Sequence, residues 1–238
     1  MILEFKNVSY TYEKAEKKAL NNISFHIRKG EIAALIGPNG AGKTTTILNI
    51  TRNLKYQEGS ILMDGISIDK IRDEDFRVAY IPDTPVYYEE LTILEHLRFV
   101  KSLYPTEKNS IEALVSRLNL DEHLNKTPGM LSKGTLQKLM ISMALLRNYN
   151  LLIADEPFNG LDPSQIREFK DILKECKEQR KSILLSTHLL ELVDGMCDKY
   201  IFIEDGEILA EGTKEDICRR KGLNVNMKLE DIYKNLMR

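Results

Sequence analysis

Apolar and polar residues alternate from Ile2 to Val8 and again from Ile23 to Ile27, as in strands that bury one face, and the charged stretch 13–18 reads as the turn between them. Glu31–Ile36, apolar at every position after the first, predicts a buried strand, after which Ile47, Ile50, Thr51 and Leu54 recur at helical spacing. Ser60–Asp64 and Ile66–Ile68 predict a hairpin across the turn pair Asp64-Gly65, and Arg77–Ile81 predicts another inner strand. Then the period changes. From Thr92 to Arg147 the pattern is almost wholly helical, opening with a Thr92/Glu95 capping box before Ile93, Leu97 and Val100. Ser110 caps a second helix carrying Ile111, Leu114, Val115 and Leu118. Pro128-Gly129 breaks the pattern, and Ser132 opens a third helix with Leu136, Leu139, Met140, Met143 and Ala144 toward a core.

Strand and helix alternate again from Leu151. The run Leu151–Ala154 ends in Asp155-Glu156-Pro157, and Asp162-Pro163 supplies an N-cap and a first-turn proline for a helix bearing Ile166, Phe169, Leu173 and Cys176. Ser182–Leu185 predicts an inner strand ending at Ser186-Thr187-His188, and Asp205-Gly206 marks a last hairpin. A terminal amphipathic helix with Leu229, Ile232, Tyr233 and Leu236 reads as a cap on the domain. The alternation predicts an α/β fold: a mainly parallel sheet, an N-terminal antiparallel β subdomain and an inserted α-helical lobe. At 238 residues this is one domain, with the core in 1–82 and 149–238 and the helical lobe in 83–148.

Composition narrows the function. The 34 basic and 36 acidic residues balance to a net charge of -2, which gives no electrostatic case for a nucleic-acid partner. No apolar run approaches the ~18 residues that span a bilayer, and the first residues lack the apolar core of a secretory signal. A soluble, cytoplasmic protein is expected. Cys176, Cys197 and Cys218 are odd in number and too far apart for a zinc motif, so free buried thiols are expected.

The chemistry lies first in Gly37-Pro38-Asn39-Gly40-Ala41-Gly42-Lys43-Thr44-Thr45, which fits the phosphate-binding pattern G-x-x-x-x-G-K-[ST]. Its glycines let successive amide N–H groups face phosphate oxygens. Lys43 reaches the β- and γ-phosphates, Thr44 offers a hydroxyl to Mg²⁺, and the following helix presents its positive end. In a parallel sheet behind such a loop, strand-end groups gather at one edge. Asp155 there is a candidate Mg²⁺ partner, Glu156 a candidate base for an attacking water, and His188 a candidate γ-phosphate contact. Tyr12 could stack on an adenine ring, although by residue pattern alone packing on the sheet edge is favoured.

Taken in this order, these motifs resemble those of the ABC ATPase family, over nearly the whole chain from Phe5 to Gly212. Most specific is Leu131-Ser132-Lys133-Gly134-Thr135, with Gln137 close behind, which is similar to the signature usually written LSGGQ. The resemblance implies a P-loop NTPase of RecA-like core and an ATP-binding, ATP-hydrolysing transporter subunit that acts on a separate membrane permease. It implies ATP and Mg²⁺ as ligands and Tyr12 as the adenine-stacking aromatic. Asp155 and Glu156 become the Mg²⁺ partner and catalytic carboxylate, and His188 the switch histidine. Residues 158–162 match the loop that crosses the dimer interface. Ser132 and Gly134 would face the γ-phosphate held by a second nucleotide-binding subunit, in a head-to-tail dimer. The chain would then sit on the inner face of the membrane through its permease, with the groove around 83–95, including Tyr87, Tyr88 and Leu91, as docking site. Two positions depart from the pattern. Lys133 replaces the first signature glycine, as in ATPases of ABC-2-type permeases, and Asp83 stands where the family has a glutamine near Mg²⁺, as in Ecs-type ATPases. A soluble ATPase of an assembly machinery, as in iron-sulfur cluster biogenesis, is the alternative.

Overall fold

Alternating burial at the N-terminus produces an antiparallel pair, β1 (Leu3–Tyr10) and β2 (Leu20–Ile27), with the Phe5 and Phe25 rings stacked 4.4 Å apart across it. The structure is a computed structural model and describes residues 1–104 and 110–237. β3 (Ile32–Ile36) is buried at every position and leads through the glycine-rich turn into α1 (Lys43–Ile50). This helix is shorter than its apolar spacing predicts. Arg52 adopts a left-handed φ of 63° just past the end, leaving Leu54 outside the helix. A tertiary anchor accounts for the stop: the Arg52 guanidinium donates to the carbonyls of Ile68 and Ile71, pairs with Asp73 and lies 4.0 Å over the Phe76 ring.

β4 (Glu58–Met63) and β5 (Ile66–Ser67) form the hairpin at Asp64-Gly65, and β4 pairs with β1 to give an antiparallel sheet ordered β2-β1-β4-β5. β6 (Val78–Ile81) follows in a second sheet. The helical segment then comprises α2 (Ile93–Leu103), opened by the Thr92/Glu95 capping box, α3 (Ile111–Arg117), capped by Ser110, and α4 (Lys133–Leu145), capped by Ser132. α4 differs from the one-sided helix expected. Ile141 and Ser142 are buried along with Leu139, Met140 and Ala144, whereas Leu136 and Met143 are only partly covered. A helix buried all round sits inside a fold.

β7 (Leu151–Asp155), α5 (Pro163–Glu178), β8 (Ser182–Thr187), α6 (Leu190–Val193), β9 (Lys199–Glu204), β10 (Glu207–Gly212), α7 (Lys214–Lys221) and α8 (Leu229–Leu236) complete the chain. The second sheet has the order β10-β9-β3-β8-β7-β6, parallel except for the β9–β10 hairpin. β6 is therefore an edge strand and not an inner one. Val78, Ala79 and Ile81 are nevertheless buried, since α4 packs against this strand and covers it.

The alternation of β3 and β7 assigns their side chains to two cores, one on each face of the sheet. Ala33, Leu35, Leu151 and Ile153 join α1 and the antiparallel sheet, whereas Ile32, Ala34, Leu152 and Ala154 join α4, α5 and the C-terminal helices. α8 does act as a cap, burying Leu229 and Ile232 and stacking Tyr233 on Phe202 with ring centroids 5.8 Å apart. All three cysteines are free; Cys176 and Cys218 are buried and Cys197 is partly exposed. Among the described residues no helix is long and apolar enough to cross a membrane.

Candidate functional site

β3, β8 and β7 lie side by side and point the same way, so the segments leaving their carboxyl ends converge. The loop at 37–45 leaves β3, Asp155-Glu156 closes β7, and His188 follows β8. Register does the fine placement: Asp155 is paired with Ser186, and Ile36 with Thr187.

Glycine is required in the loop for two different reasons. Gly42, the N-cap of α1, has φ 106°, and a Cβ there would come within 2.8 Å of the Ala19 carbonyl. Gly37 has no positive φ; instead a Cβ would collide with the Ile203 carbonyl of β9. The loop thus wraps the Lys43 side chain, which is buried and donates to the carbonyls of Gly37 (2.9 Å) and Pro38 (3.2 Å). Its Nζ also lies 3.4 Å from Glu156 Oε1. Tyr12 packs at the sheet edge and also reaches the phosphate loop. Its ring meets Tyr10 edge-on at 5.0 Å, and its hydroxyl reaches Thr45 Oγ1 at 3.1 Å while the side chain stays exposed beside the loop.

Thr44 Oγ1 donates to Asp155 Oδ2 at 2.9 Å, and Ser186 Oγ donates to Oδ1. Asp155 is 1% exposed, and burial pushes its carboxyl above the usual range. The Ser186 and Thr44 hydroxyls offset this in part, and the charges of Asp83 and Glu156 add to it. Among the described residues no three Asp, Glu, His or Cys side chains cluster tightly enough to hold a metal alone. One buried carboxylate and one hydroxyl nevertheless fit Mg²⁺, which keeps several waters and takes its remaining oxygens from substrate phosphates. Its charge would also relieve the repulsion felt by Asp155.

Glu156 has φ 45°, a region that side-chain-bearing residues seldom adopt and that concentrates at functional sites. β8 holds it there: Glu156 N donates to Ser186 O at 3.0 Å. Its Oε1 lies 2.9 Å from His188 Nδ1, and its Oε2 accepts from the His188 amide at 3.4 Å. An ionised carboxylate only accepts, so this contact places the imidazole proton on Nδ1. Lys43, Thr44, Thr45, Tyr12, Asp83 and Glu156, with Asn39, Gly40 and Gly42, line one cavity of about 290 Å³. Asp83 faces that cavity while its Oδ1 accepts from Asn159 Nδ2 at 3.1 Å.

Ser132 and Gly134 do not line this cavity. Ser132 Oγ caps α4 by accepting from Thr135 N at 3.2 Å. Gly134 is buried against the 158–162 loop: a Cβ on it would lie 2.8 Å from Gly160 O and 3.2 Å from Gln165 Oε1. That glycine has a packing reason inside its own chain, which the sequence pattern does not reveal. Two further partners lie outside the candidate residues, Ser186 beneath Asp155 and Asn159 on Asp83, and Gln137, which stands out behind the signature, takes a partner the pattern does not give: its Nε2 donates to Pro157 O at 3.1 Å. Only Ser186, polar at the end of an apolar strand, carries a local signal.

Residues 20–159 match the family model described as ABC transporter. The ABC-type transporter ATP-binding protein EcsA of Bacillus subtilis is 36% identical, over 99% of this chain and 96% of that protein. Among solved structures, an ATP-binding subunit of an ABC transporter is 37% identical, superposes with a TM-score of 0.92 and is covered in full, as is this chain. The cassette MJ0796, in a dimeric post-hydrolysis state bound to ADP and Pi, is 25% identical with a TM-score of 0.79, covering 89% of this chain and 98% of that one. A glycine-rich loop between β3 and α1, a carboxylate pair at the end of β7 and full-length likeness to these proteins lead to one conclusion: the chain belongs to the ABC transporter family as an ATP-binding subunit of the Ecs-like, ABC-2 type.

Proposed function

We propose that this chain hydrolyses ATP and, as a dimer of nucleotide-binding subunits, powers a separate membrane permease. The observation that carries the reading is the Glu156 carboxylate, set between His188 Nδ1 and Lys43 Nζ at the mouth of the phosphate loop. ATP entering the cavity would draw Lys43 from the Gly37 and Pro38 carbonyls onto its β- and γ-phosphates, with Tyr12 against the adenine. Glu156 then accepts a proton from the attacking water as the bond from γ-phosphorus to the bridging oxygen breaks, releasing ADP and phosphate. His188 keeps Glu156 oriented. Thr44 and Asp155 would hold Mg²⁺, which when bound supplies charge neutralisation at the phosphates.

The dimeric MJ0796 cassettes support a second subunit, and Ser132 and Gly134 of that subunit are assigned to complete each site. The names of the relatives favour a transporter over a soluble assembly ATPase. Asp83, held by Asn159, is assigned a contact with Mg²⁺-bound water and the permease signal, not the chemistry. Asp83→Gln should therefore leave basal phosphate release within about tenfold, roughly 1.4 kcal/mol of barrier, and a loss of several orders of magnitude would make Asp83 catalytic.

The permease is assigned to an apolar groove of about 350 Å³ lined by Tyr80, Val86, Val100, Tyr104, Met140 and Met143. Tyr87, Tyr88 and Leu91 do not line it; Tyr87 and Tyr88 follow Val86 in the chain and are exposed, on a loop pinned by the Tyr88 amide donating to His96 Nε2 at 3.0 Å. An amphipathic cytoplasmic helix suits such a groove. Attachment to the inner face of the membrane follows from that contact. The test is co-purification of a membrane protein with the tagged chain. Alanine at both Tyr87 and Tyr88 should remove most of the captured permease while ATP binding stays intact; undiminished capture refutes the docking assignment.

A further inference from the structure

The Glu156–Pro157 turn is held from two sides. On one side β8 accepts the Glu156 amide proton. On the other, Gln137 of α4 donates its side-chain amide to the Pro157 carbonyl at 3.1 Å. Gln137 is 4% exposed, on a helix whose other buried residues are mostly Leu, Ile, Met and Ala, so its amide is kept from water and used in this bond. Pro157 has no N–H, so its carbonyl is its one backbone hydrogen-bonding group. The bond therefore fixes the Pro157–Phe158 peptide, one residue beyond Glu156 at φ 45°, and the proline ring, which locks its own φ, carries that restraint back to Glu156. Residues in such conformations persist only where their surroundings over-determine them.

From this geometry we propose that Gln137 is a positioning residue for Glu156: it holds the carboxylate at its strained backbone angle and ties α4 to the hydrolytic site of the same chain. The assignment rests on Glu156 acting in hydrolysis. Gln137 touches neither the cavity nor the phosphate loop, and acts only through the Pro157 carbonyl. If α4 shifts by a fraction of an ångström, that bond lengthens, and the carboxylate loses the support opposing its relaxation. Hydrolysis thereby becomes conditional on the position of the helix that Ser132 opens.

The test is single-turnover phosphate release by the full chain, with ATP affinity measured in parallel. Gln137→Met, of similar length but without a donor, should slow release about tenfold, the usual worth of one buried hydrogen bond, with ATP affinity unchanged within about twofold. In a Glu156→Gln background the same substitution should slow the residual rate no further, because two residues acting as a unit are non-additive. An equal loss in both backgrounds, or no loss in the first, overturns the proposal. Should Gln137→Met fold poorly, Gln137→Leu, which also lacks any donor, is judged by the same two outcomes. A wild-type chain that hydrolyses no ATP removes the functional reading and this assignment together. Intact wild-type turnover with additive losses removes this assignment alone.

Discussion

Replacing Lys43 with alanine should abolish productive ATP binding and turnover. The lysine ammonium is the cation within the loop, buried and held by the carbonyls of Gly37 and Pro38 and by Glu156. Each of those partners can be exchanged for a phosphate oxygen, so the residue is already positioned for the charge it is to neutralise. Losing one preorganised electrostatic contact at a transferring group costs on the order of 3 kcal/mol, a hundredfold or more in rate. The loss should exceed that, since ground-state binding to the phosphates fails too. Phosphate release and binding of a fluorescent ATP analogue both report on it. Full retention of turnover would refute the phosphate-binding role of the loop.

Glu156→Gln should separate binding from chemistry. Glutamine has the same shape, and its carbonyl oxygen can still accept from His188 Nδ1, so the geometry of the turn survives. What disappears is the capacity to take a proton from water, worth on the order of 10²–10⁴ in rate. ATP should then bind without being consumed, and the ATP-bound species should accumulate. In the proposed sandwich that species is a dimer, visible by size-exclusion chromatography at saturating ATP and dispersed when nucleotide is removed. A persistent monomer under those conditions would count against the two-subunit site.

What could be read from the residues alone follows from how local each constraint is. The phosphate loop is legible because its chemistry demands glycine, lysine and threonine at fixed neighbouring positions. Strand existence is legible too, since alternation and apolar runs survive in any context. Strand position is less so. An edge strand covered by a helix needs the same apolar residues as an inner one, so nothing in Val78–Ile81 announces the edge. α1 ends earlier than its apolar spacing predicts because its end is set by Arg52 reaching residues 16 to 21 positions later. α4 was assigned one buried face because helical spacing marks the apolar positions and is silent on how many neighbours surround them. Tyr12 meets Thr45 at a separation of 33 positions, and Asn159 meets Asp83 at 76. No window along the chain contains such pairs. Gly134 is the sharpest case, since the position stood out as part of a ligand-facing motif while its contact with Gly160 belongs to the packing of the chain itself.

That contact has a consequence for protein engineering. A Cβ added at Gly134 would lie only 2.8 Å from the Gly160 carbonyl, so the opening of α4 and the 158–162 loop are cast against each other like the two halves of a mould. A signature segment transplanted from a distant cassette would bring its own relief, cut to a different counterpart. The smallest interchangeable part is therefore a pair of separate segments, 131–137 together with 157–165.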